Sequence, residues 1–158
     1  MKKLCIVVII ACMGFMSLGA ATVSVVVVEM GLPLENGCTP SASIWENGIM
    51  DTFFEAGHIV FNAPCNQITS ASGVLPSDVK EDFEEARNGG ADFFVLVILN
   101  HPEDKPDNFK EVIIRAFRVS SGELLHETSI SGRIWGSNDE EFLAAKQNAG
   151  NILSRLRS

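Results

Sequence analysis

The chain has 158 residues, of which 46% are hydrophobic, and its 20 acidic residues outnumber its 12 basic residues to give a formal net charge of −8 at pH 7. An acidic chain repels phosphate backbones, so this balance excludes nucleic acid as a partner. The length suits one domain with a full hydrophobic core, and the sequence contains no repeat or low-complexity run that would indicate a second domain.

The beginning of the chain has the order of a secretory signal peptide. Two lysines precede an apolar run over residues 4–16, and the small residues Gly19 and Ala21 follow at the spacing of a cleavage site. We therefore predict a signal peptide over residues 1–21 and a single exported domain over residues 22–158. The cleaved chain would keep ten basic and twenty acidic residues, a net charge of −10.

Two alternatives to simple cleavage remain open. Cys12 follows an Ile-Ile-Ala sequence and has the setting of a lipoprotein processing site, but the apolar segment ahead of it, residues 4–11, is short. Residues 4–28 are also long and apolar enough to serve as a membrane anchor. The β-branched residues at 22–28 instead favour a strand. Contact with a membrane is expected only for the lipidated or the anchored form.

The first half of the domain reads as strand, helix and strand. The stretch TVSVVVVEM over residues 22–30 predicts a buried strand, and a loop rich in Gly, Pro and Asn follows it. Ser43 and Glu46 have the spacing of a capping box, so we expect the first helix to start there and to run through Ala56. A short second strand over residues 58–62 and another long loop come next.

Two glycines separate the second helix from the third strand. We expect this helix over residues 78–87 and the strand over residues 92–99. A phosphate-binding loop leaves a strand and enters a helix, whereas Gly89 and Gly90 leave a helix and enter a strand. The pair therefore predicts no nucleotide site, and we expect Gly89 to be the left-handed C-cap of the helix.

The rest of the chain adds a hairpin and a closing helix. After a polar turn over residues 101–108, two strands at 111–119 and 123–131 are joined by a turn with Gly122 in the left-handed position. Residues 137–140 match a second capping box. One apolar face of the closing helix contains Phe142, Ala145, Ala149, Ile152 and Leu156.

These elements follow the order β-α-β-α-β-β-β-α, which predicts a three-layer α/β fold around a mixed sheet. Right-handed crossovers, with the two most apolar strands in the centre, give the strand order 2-1-3-4-5, the last two strands being antiparallel. The first two helices then cover opposite faces. Cys38 follows the first strand and Cys65 the second, so we expect a structural disulfide at one edge of the sheet rather than two separate thiols.

A resemblance to known proteins rests on four stretches of the chain, which are TVSVVVVEM, GIMDTFFEAGHIVFN, EEARNGGADFFVLVILN and the hairpin IIRAFRVSSGELLHET. In this order they resemble a group of exported bacterial α/β domains. The group includes the amino-terminal domain of TolB, the curli-secretion lipoprotein and the lipoproteins that activate penicillin-binding proteins. The resemblance implies a domain of the cell envelope that binds other proteins and is not an enzyme.

An alternative to protein binding is a site for a small molecule or a cation. Open α/β sheets bind ligands at the carboxyl ends of their strands where crossovers diverge, which here is between the first and third predicted strands. The candidate residues of this crevice are Glu35, Asn36, His101, Glu103, Asp104 and Asp107. Their oxygen atoms suit a hard cation, but they lack the regular spacing of a calcium loop, and a solvated turn is the competing interpretation.

The motifs of common enzymes are missing from the sequence. It contains no G-x-S-x-G elbow and no C-x-x-C pair, and no two of its three histidines have a metal-ligand or relay spacing. We therefore predict no catalytic residue, no metal and no cofactor, and we keep a hydrolase with an unrecognised site as a third hypothesis. Trp135 is the candidate interaction residue, because an exposed Trp in a loop can anchor an interface. Closing the end of the core is its alternative role.

The leading hypothesis is a non-enzymatic exported adaptor domain that contacts other envelope proteins in the periplasm. It predicts that the protein made by cells begins near Thr22 and carries no lipid. The intact mass of protein purified from the envelope fraction measures both properties. A mass that includes Cys12 and an added acyl group would contradict this prediction and place the domain on a membrane surface.

Overall fold

The computed structural model of the protein describes residues 19–31, 37–102, 111–131 and 135–156. Within these ranges the chain forms one six-stranded mixed sheet and three α-helices. The strands are β1 (Thr22–Met30), β2 (Ile59–Asn62), β3 (Asn66–Gln67), β4 (Phe93–Asn100), β5 (Glu111–Arg118) and β6 (Glu123–Ser131). The helices are α1 (Pro40–Glu55), α2 (Lys80–Asn88) and α3 (Asn138–Leu156). None of these helices is long and apolar enough to cross a membrane.

The sheet has the order β2-β1-β4-β5-β6, and the short β3 pairs with β1 beyond the end of β2. β1 runs parallel to β2, β3 and β4, whereas β5 is antiparallel to both of its neighbours. The predicted α/β class and the order of the five predicted strands are therefore confirmed. β3 is an addition to the prediction. Its residues Asn66 and Gln67 show no strand pattern of their own and pair with Val28 and Glu29 because the loop runs alongside β1.

Two apolar cores lie on opposite faces of the sheet. Alternate residues of a strand point to opposite faces, so Val25 of β1 packs below α1 and α3, whereas the next residue, Val26, packs against α2. The prediction that the first two helices cover opposite faces is confirmed. Burial on both sides also explains why β1 and β4 are nearly continuous apolar runs rather than alternating ones.

The start of α1 differs from the prediction. The helix begins at Pro40 and not at Ser43, because a proline at the first helical position needs no partner for the N–H that it lacks. Thr39 is the residue that precedes the helix, and its side chain makes no hydrogen bond to the helix backbone. The predicted capping box of Ser43 and Glu46 is therefore wrong, since both residues lie within the first turns of the helix.

The other predicted helix ends are closer to the structure. In α3, the Ser137 hydroxyl accepts the Glu140 N–H at 3.3 Å, while the Glu140 carboxylate accepts the Gly136 N–H at 2.9 Å. At the end of α2, Gly90 has a φ of 76°, whereas Gly89 keeps a right-handed φ of −74°. The left-handed residue is therefore Gly90, one position later than predicted. The Ala91 N–H reaches the Ala86 carbonyl at 2.9 Å, which completes a Schellman motif.

Helices α1 and α3 approach each other closely at Gly48. A Cβ atom at this position would lie 2.7 Å from Ala145 Cβ and 3.0 Å from the Phe142 carbonyl oxygen. Neither atom belongs to the end of a flexible side chain, so the two helices would have to move apart. The absence of a side chain at Gly48 therefore sets the distance between the two helices on this face of the sheet.

We predict that Gly48→Ala lowers the free energy of unfolding by about 1–3 kcal/mol, the usual cost of overpacking a core. Gly150→Ala in α3 is the matched control, because a Cβ there would meet nothing within 4 Å. The control should be neutral or stabilise the protein by up to about 1 kcal/mol, since alanine is the better helix former. Chemical denaturation followed by circular dichroism measures both changes, and equal effects of the two variants would contradict the packing argument.

Candidate functional site

A buried carboxylate marks the carboxyl end of β1. Glu29 has no accessible surface, and the side chain of His101, which follows β4, is also almost completely inaccessible. The two side chains meet through Glu29 Oε1 and His101 Nε2 at 3.3 Å. β1 and β4 are parallel neighbours, and the pairing of Met30 with Asn100 ends both strands at the same level. The register of the two strands thus places the acid and the imidazole together.

Thr39 supplies the other partners of this carboxylate. Its backbone N–H donates to Glu29 Oε2 at 2.9 Å, and its hydroxyl donates to Glu29 Oε1. Burial by itself raises the pKa of Glu29, but the hydrogen bonds from His101 and Thr39 outweigh this effect and hold the pKa below the ordinary glutamate value. Glu29 is therefore an ionised group whose hydrogen bonds come from protein donors in place of water.

The two cysteines of the domain lie beside this carboxylate. Cys38 and Cys65 form a disulfide with their Cα atoms 6.3 Å apart, which fits the predicted pairing of the loops after β1 and β2. Glu29 carboxylate oxygen and the two sulfur atoms all lie within 4.8 Å of one another. A carboxylate, an imidazole and a cystine thus lie together at one edge of the sheet, on the face that α1 and α3 cover.

A second carboxyl group lies nearby, at the first turn of α3. Glu141 is only 6% exposed, and its Oε2 accepts a hydrogen bond from the Ser41 hydroxyl at 3.2 Å. Burial raises the pKa of Glu141, and this effect exceeds the opposing ones from Ser41, Trp45 and His101. The Trp45 indole N–H and Glu141 Oε1 do not reach the geometry of a full hydrogen bond. The two buried acids of this edge therefore have opposite pKa shifts.

The predicted crevice is only partly visible in the structure. His101 lies at the predicted edge and contacts Glu29. The other five candidate residues of the crevice lie outside the described residues, and they are Glu35, Asn36, Glu103, Asp104 and Asp107. Cation or metabolite binding by this set stays a prediction.

Trp135 lies next to the core. Its ring packs edge to face on Trp45, with ring centroids 5.6 Å apart and planes 72° apart. Trp135 is half-buried and contacts the core between the sheet and the α1–α3 layer. This position closes one end of the core, and a further role of Trp135 in an interface stays a prediction.

Sequence reasoning missed both buried acids. Glu29 is the only charged residue in the run TVSVVVVEM, and a lone charge at the end of a central strand was the available signal. Glu141 falls at helical spacing before Ala145, Ala149 and Ile152, so it continues their buried stripe. Its place beside the capping box made it look like an ordinary first-turn acid.

A separate groove of mixed polar and apolar lining lies on the outer surface of the same helical layer. We call it the α1–β2 groove, and it is an open space of about 410 Å³ lined by Asn47, Met50, Asp51, Phe54, Val60 and Phe142. Phe54 is 72% exposed, the largest value among the exposed large hydrophobic residues of the described ranges, which are otherwise Ile59, Val74 and Leu143. The groove therefore presents aromatic and aliphatic side chains directly to solvent.

Acidic side chains border the α1–β2 groove. Lys146 Nζ binds Asp51 at 2.7 Å and Glu55 at 3.0 Å, and both acids remain partly exposed at 44% and 61%. The two carboxylates raise the pKa of Lys146, because they favour its charged form. One lysine is paired with two acids, so the net charge of these three side chains is negative.

No protein-family model and no curated protein matches this chain. Among solved structures, the chain is similar to TolB from Acinetobacter baumannii, with 12% identity and a TM-score of 0.47. The match covers 87% of this chain but only 28% of the TolB chain. It is also similar to a PelC dodecamer from Paraburkholderia phytofirmans, with 16% identity, a TM-score of 0.48 and 87% and 89% of the two chains covered. Lipoprotein GNA1162 from Neisseria meningitidis gives 17% identity, a TM-score of 0.44 and coverage of 85% and 96%.

TolB, to which the sequence resemblance pointed, is thus among the proteins of similar structure. The identities are low and the TM-scores lie below 0.5, so these likenesses carry no function over to this chain.

The pKa of Glu141 generates a prediction about pH. An acid whose pKa is raised in the folded state makes the protein less stable as the pH rises. The loss takes place between the ordinary pKa of 4.5 and the raised pKa of the folded state. Glu141→Gln removes this loss and keeps an acceptor for Ser41. We expect the variant to have a higher Tm than the wild type at pH 7. At about pH 4 the two Tm values should be similar, because the Glu141 side chain is then neutral, as the glutamine of the variant is at every pH.

Asp139→Asn is the control for this comparison, because Asp139 lies exposed in the same first turn of α3. Its loss removes a favourable interaction with the helix dipole, which costs about 0.3–1 kcal/mol at neutral pH. Thermal melts between pH 4 and pH 7 distinguish the effects of the two substitutions on the Tm. A Tm of Glu141→Gln that falls at pH 7 as it does for the control would contradict the assignment of Glu141 as a destabilising buried charge.

Proposed function

We propose that this protein is a non-enzymatic adaptor domain, exported to the periplasm as residues 22–158, which binds an envelope protein through the α1–β2 groove. The single observation that carries the proposal is the exposure of Phe54 in a groove whose walls also include Met50, Val60 and Phe142. A large aromatic side chain in water costs free energy that a partner recovers by covering it, and aromatic anchors are typical of interaction sites.

The charges around the groove support a basic partner. Asp51 and Glu55 border the groove with one lysine between them, and the exported domain carries a net charge of −10. A segment that places an apolar anchor against Phe54 and Phe142, with Lys or Arg beside it, would match both the walls and the border. We therefore propose a cationic amphipathic segment of an envelope protein as the occupant.

The ionisable groups at the carboxyl edge support binding rather than catalysis. Glu29 and His101 have side-chain exposures of 0% and 1%, and they bond to each other. A general acid or base must come within hydrogen-bond distance of its substrate, and these two groups are covered by protein. Their arrangement therefore suits a structural role in the described state of the domain.

Two features support export. The signal-like pattern of the N-terminal residues is the first, and it would bring the domain into an oxidising compartment. The Cys38–Cys65 disulfide is the second, because such bridges persist mainly outside the cytosol. Membrane contact is proposed only for a form that is lipidated at Cys12 or that keeps its N-terminal segment as an anchor.

Site-specific crosslinking tests the groove. A photo-crosslinking residue at Asn47, which is exposed at the groove, should capture a specific envelope protein in cells. Phe54→Ser should reduce this capture about tenfold or more, since loss of an aromatic anchor costs about 2 kcal/mol. Phe54 is exposed, so its replacement should leave the Tm unchanged.

Val74→Ser is the matched control, because Val74 is also an exposed apolar residue, at 53%, and does not line the groove. It should leave the capture unchanged. Asp51→Asn combined with Glu55→Gln should weaken the capture and reduce its dependence on salt. Capture that survives Phe54→Ser, or that falls equally in the Val74 control, would overturn the assignment of the groove.

A further inference from the structure

The cystine at the carboxyl edge is surrounded by groups that bind metals. Glu29, Cys38 and Cys65 each offer one ligand atom, and these three atoms lie within 4.8 Å of one another. Ligand atoms around a tetrahedral zinc ion are about 3.3–3.8 Å apart, given bond lengths of about 2.0–2.3 Å. The three groups therefore need only small shifts to share one ion once the sulfur–sulfur bond is broken.

The positions of the cysteines allow such shifts. Cys38 lies in the loop before α1, and Cys65 lies between β2 and β3, so neither is inside a regular element. Both are partly buried at the edge of the apolar core below α1 and α3. Rotation about the side-chain bonds can therefore separate the sulfur atoms while the backbone of the sheet stays in place. Glu29, in contrast, is fixed in β1.

The surroundings of Glu29 resemble the support of a metal ligand. A ligating carboxylate is normally oriented by hydrogen bonds from further residues. Here Thr39 and His101 already hold Glu29 Oε1, and Oε2 accepts one hydrogen bond from the described residues, the Thr39 N–H. A carboxylate oxygen has two lone pairs, so Oε2 keeps one that is directed away from this donor.

We propose that reduction of the Cys38–Cys65 disulfide converts this edge into a zinc site with Cys38, Cys65 and Glu29 as its ligands. A dithiol reductant supplies two electrons and two protons, which break the sulfur–sulfur bond, leave two thiols and turn the reductant into its own disulfide. Zn²⁺ then displaces the two thiol protons to solvent and binds two thiolates and the carboxylate. Water completes the tetrahedron.

Zinc is the metal that this set of ligands favours. Two thiolates with one carboxylate combine soft and hard donors, which suits a borderline ion such as Zn²⁺. Calcium and magnesium bind oxygen atoms only, and copper(I) prefers sulfur ligands throughout. In the oxidised protein the cysteines cannot coordinate zinc as thiolates, so the disulfide acts as a switch for the site.

Zinc binding by the full chain tests this proposal. Every protein carries Cys5→Ser and Cys12→Ser, so that Cys38 and Cys65 are the only cysteines. The reduced protein should bind one Zn²⁺ per chain in competition with a chromogenic chelator, and the oxidised protein should bind none at the same concentrations. Zinc should also raise the Tm of the reduced protein, because an ion that binds only the folded state stabilises it.

The double variant Cys38→Ser/Cys65→Ser is the matched control for lost stability. Like the reduced protein it lacks the bridge, but it also lacks the thiolates, so zinc should leave its Tm unchanged. Co²⁺ gives a second measurement, since tetrahedral thiolate coordination produces an intense visible absorption that an unspecific surface site does not. Near-ultraviolet circular dichroism checks that the reduced domain remains folded, because unfolded chains with free thiols also bind zinc.

Glu29→Gln identifies the third ligand. The variant keeps both thiols and the shape of the side chain, and it should bind zinc at least tenfold more weakly than the reduced parent. Glu127→Gln, which changes a partly exposed acid of β6, should bind as the parent does. The proposal is overturned if the reduced parent binds no better than the double serine variant, if Glu29→Gln binds as tightly as the parent, or if the disulfide is reduced only when the domain unfolds.

Discussion

The carboxyl edge of the sheet is organised around a charge that water does not reach. Glu29, the penultimate residue of β1, has 0% exposure, and a buried carboxylate without partners would cost about 3–5 kcal/mol. Within the part of the chain that the structure describes, three donors meet it, two from Thr39 and one from His101. Because the Thr39 hydroxyl is turned towards Glu29, it does not cap α1. The helix starts directly after Thr39, at Pro40, which has no N–H to satisfy. One buried charge thus decides how the loop after β1 enters the first helix.

Much of the fold follows from information that is local in the sequence. The apolar runs of β1 and β4 require cover on both faces, and the handedness of crossovers then leaves one reasonable strand order. The ends of helices depend on single residues and are less certain. Gly90 rather than Gly89 adopts the left-handed conformation, because the hydrogen bond from Ala91 to Ala86 decides which glycine lies at that point of the motif. Either glycine satisfies the pattern that the sequence displays.

The site depends on contacts between residues that are far apart in the sequence, so no local pattern predicts them. Glu29 meets Thr39 ten residues later and His101 seventy-two residues later, and Glu141 meets Ser41 across one hundred residues. Each of these pairs exists because strands end and helices begin at the same edge of the sheet. The exposure of Phe54 has a similar origin. Helical spacing places Phe54 beside the inward stripe of α1, and only the positions of β2 and α3 show that nothing among the described residues covers it.

Helix α1 connects the buried edge with the exposed groove. Its first turn is held by the contacts of Thr39 with Glu29 and by the disulfide at Cys38, and Gly48 sets its distance from α3. Its last turn ends in a Schellman motif, in which the His58 N–H reaches the Phe53 carbonyl at 3.1 Å. Phe54 lies within this last turn. An anchor on a helix that is fixed at both ends loses little conformational freedom when a partner covers it, and this lowers the entropic cost of binding. The polar edge therefore holds in place the helix that carries the groove.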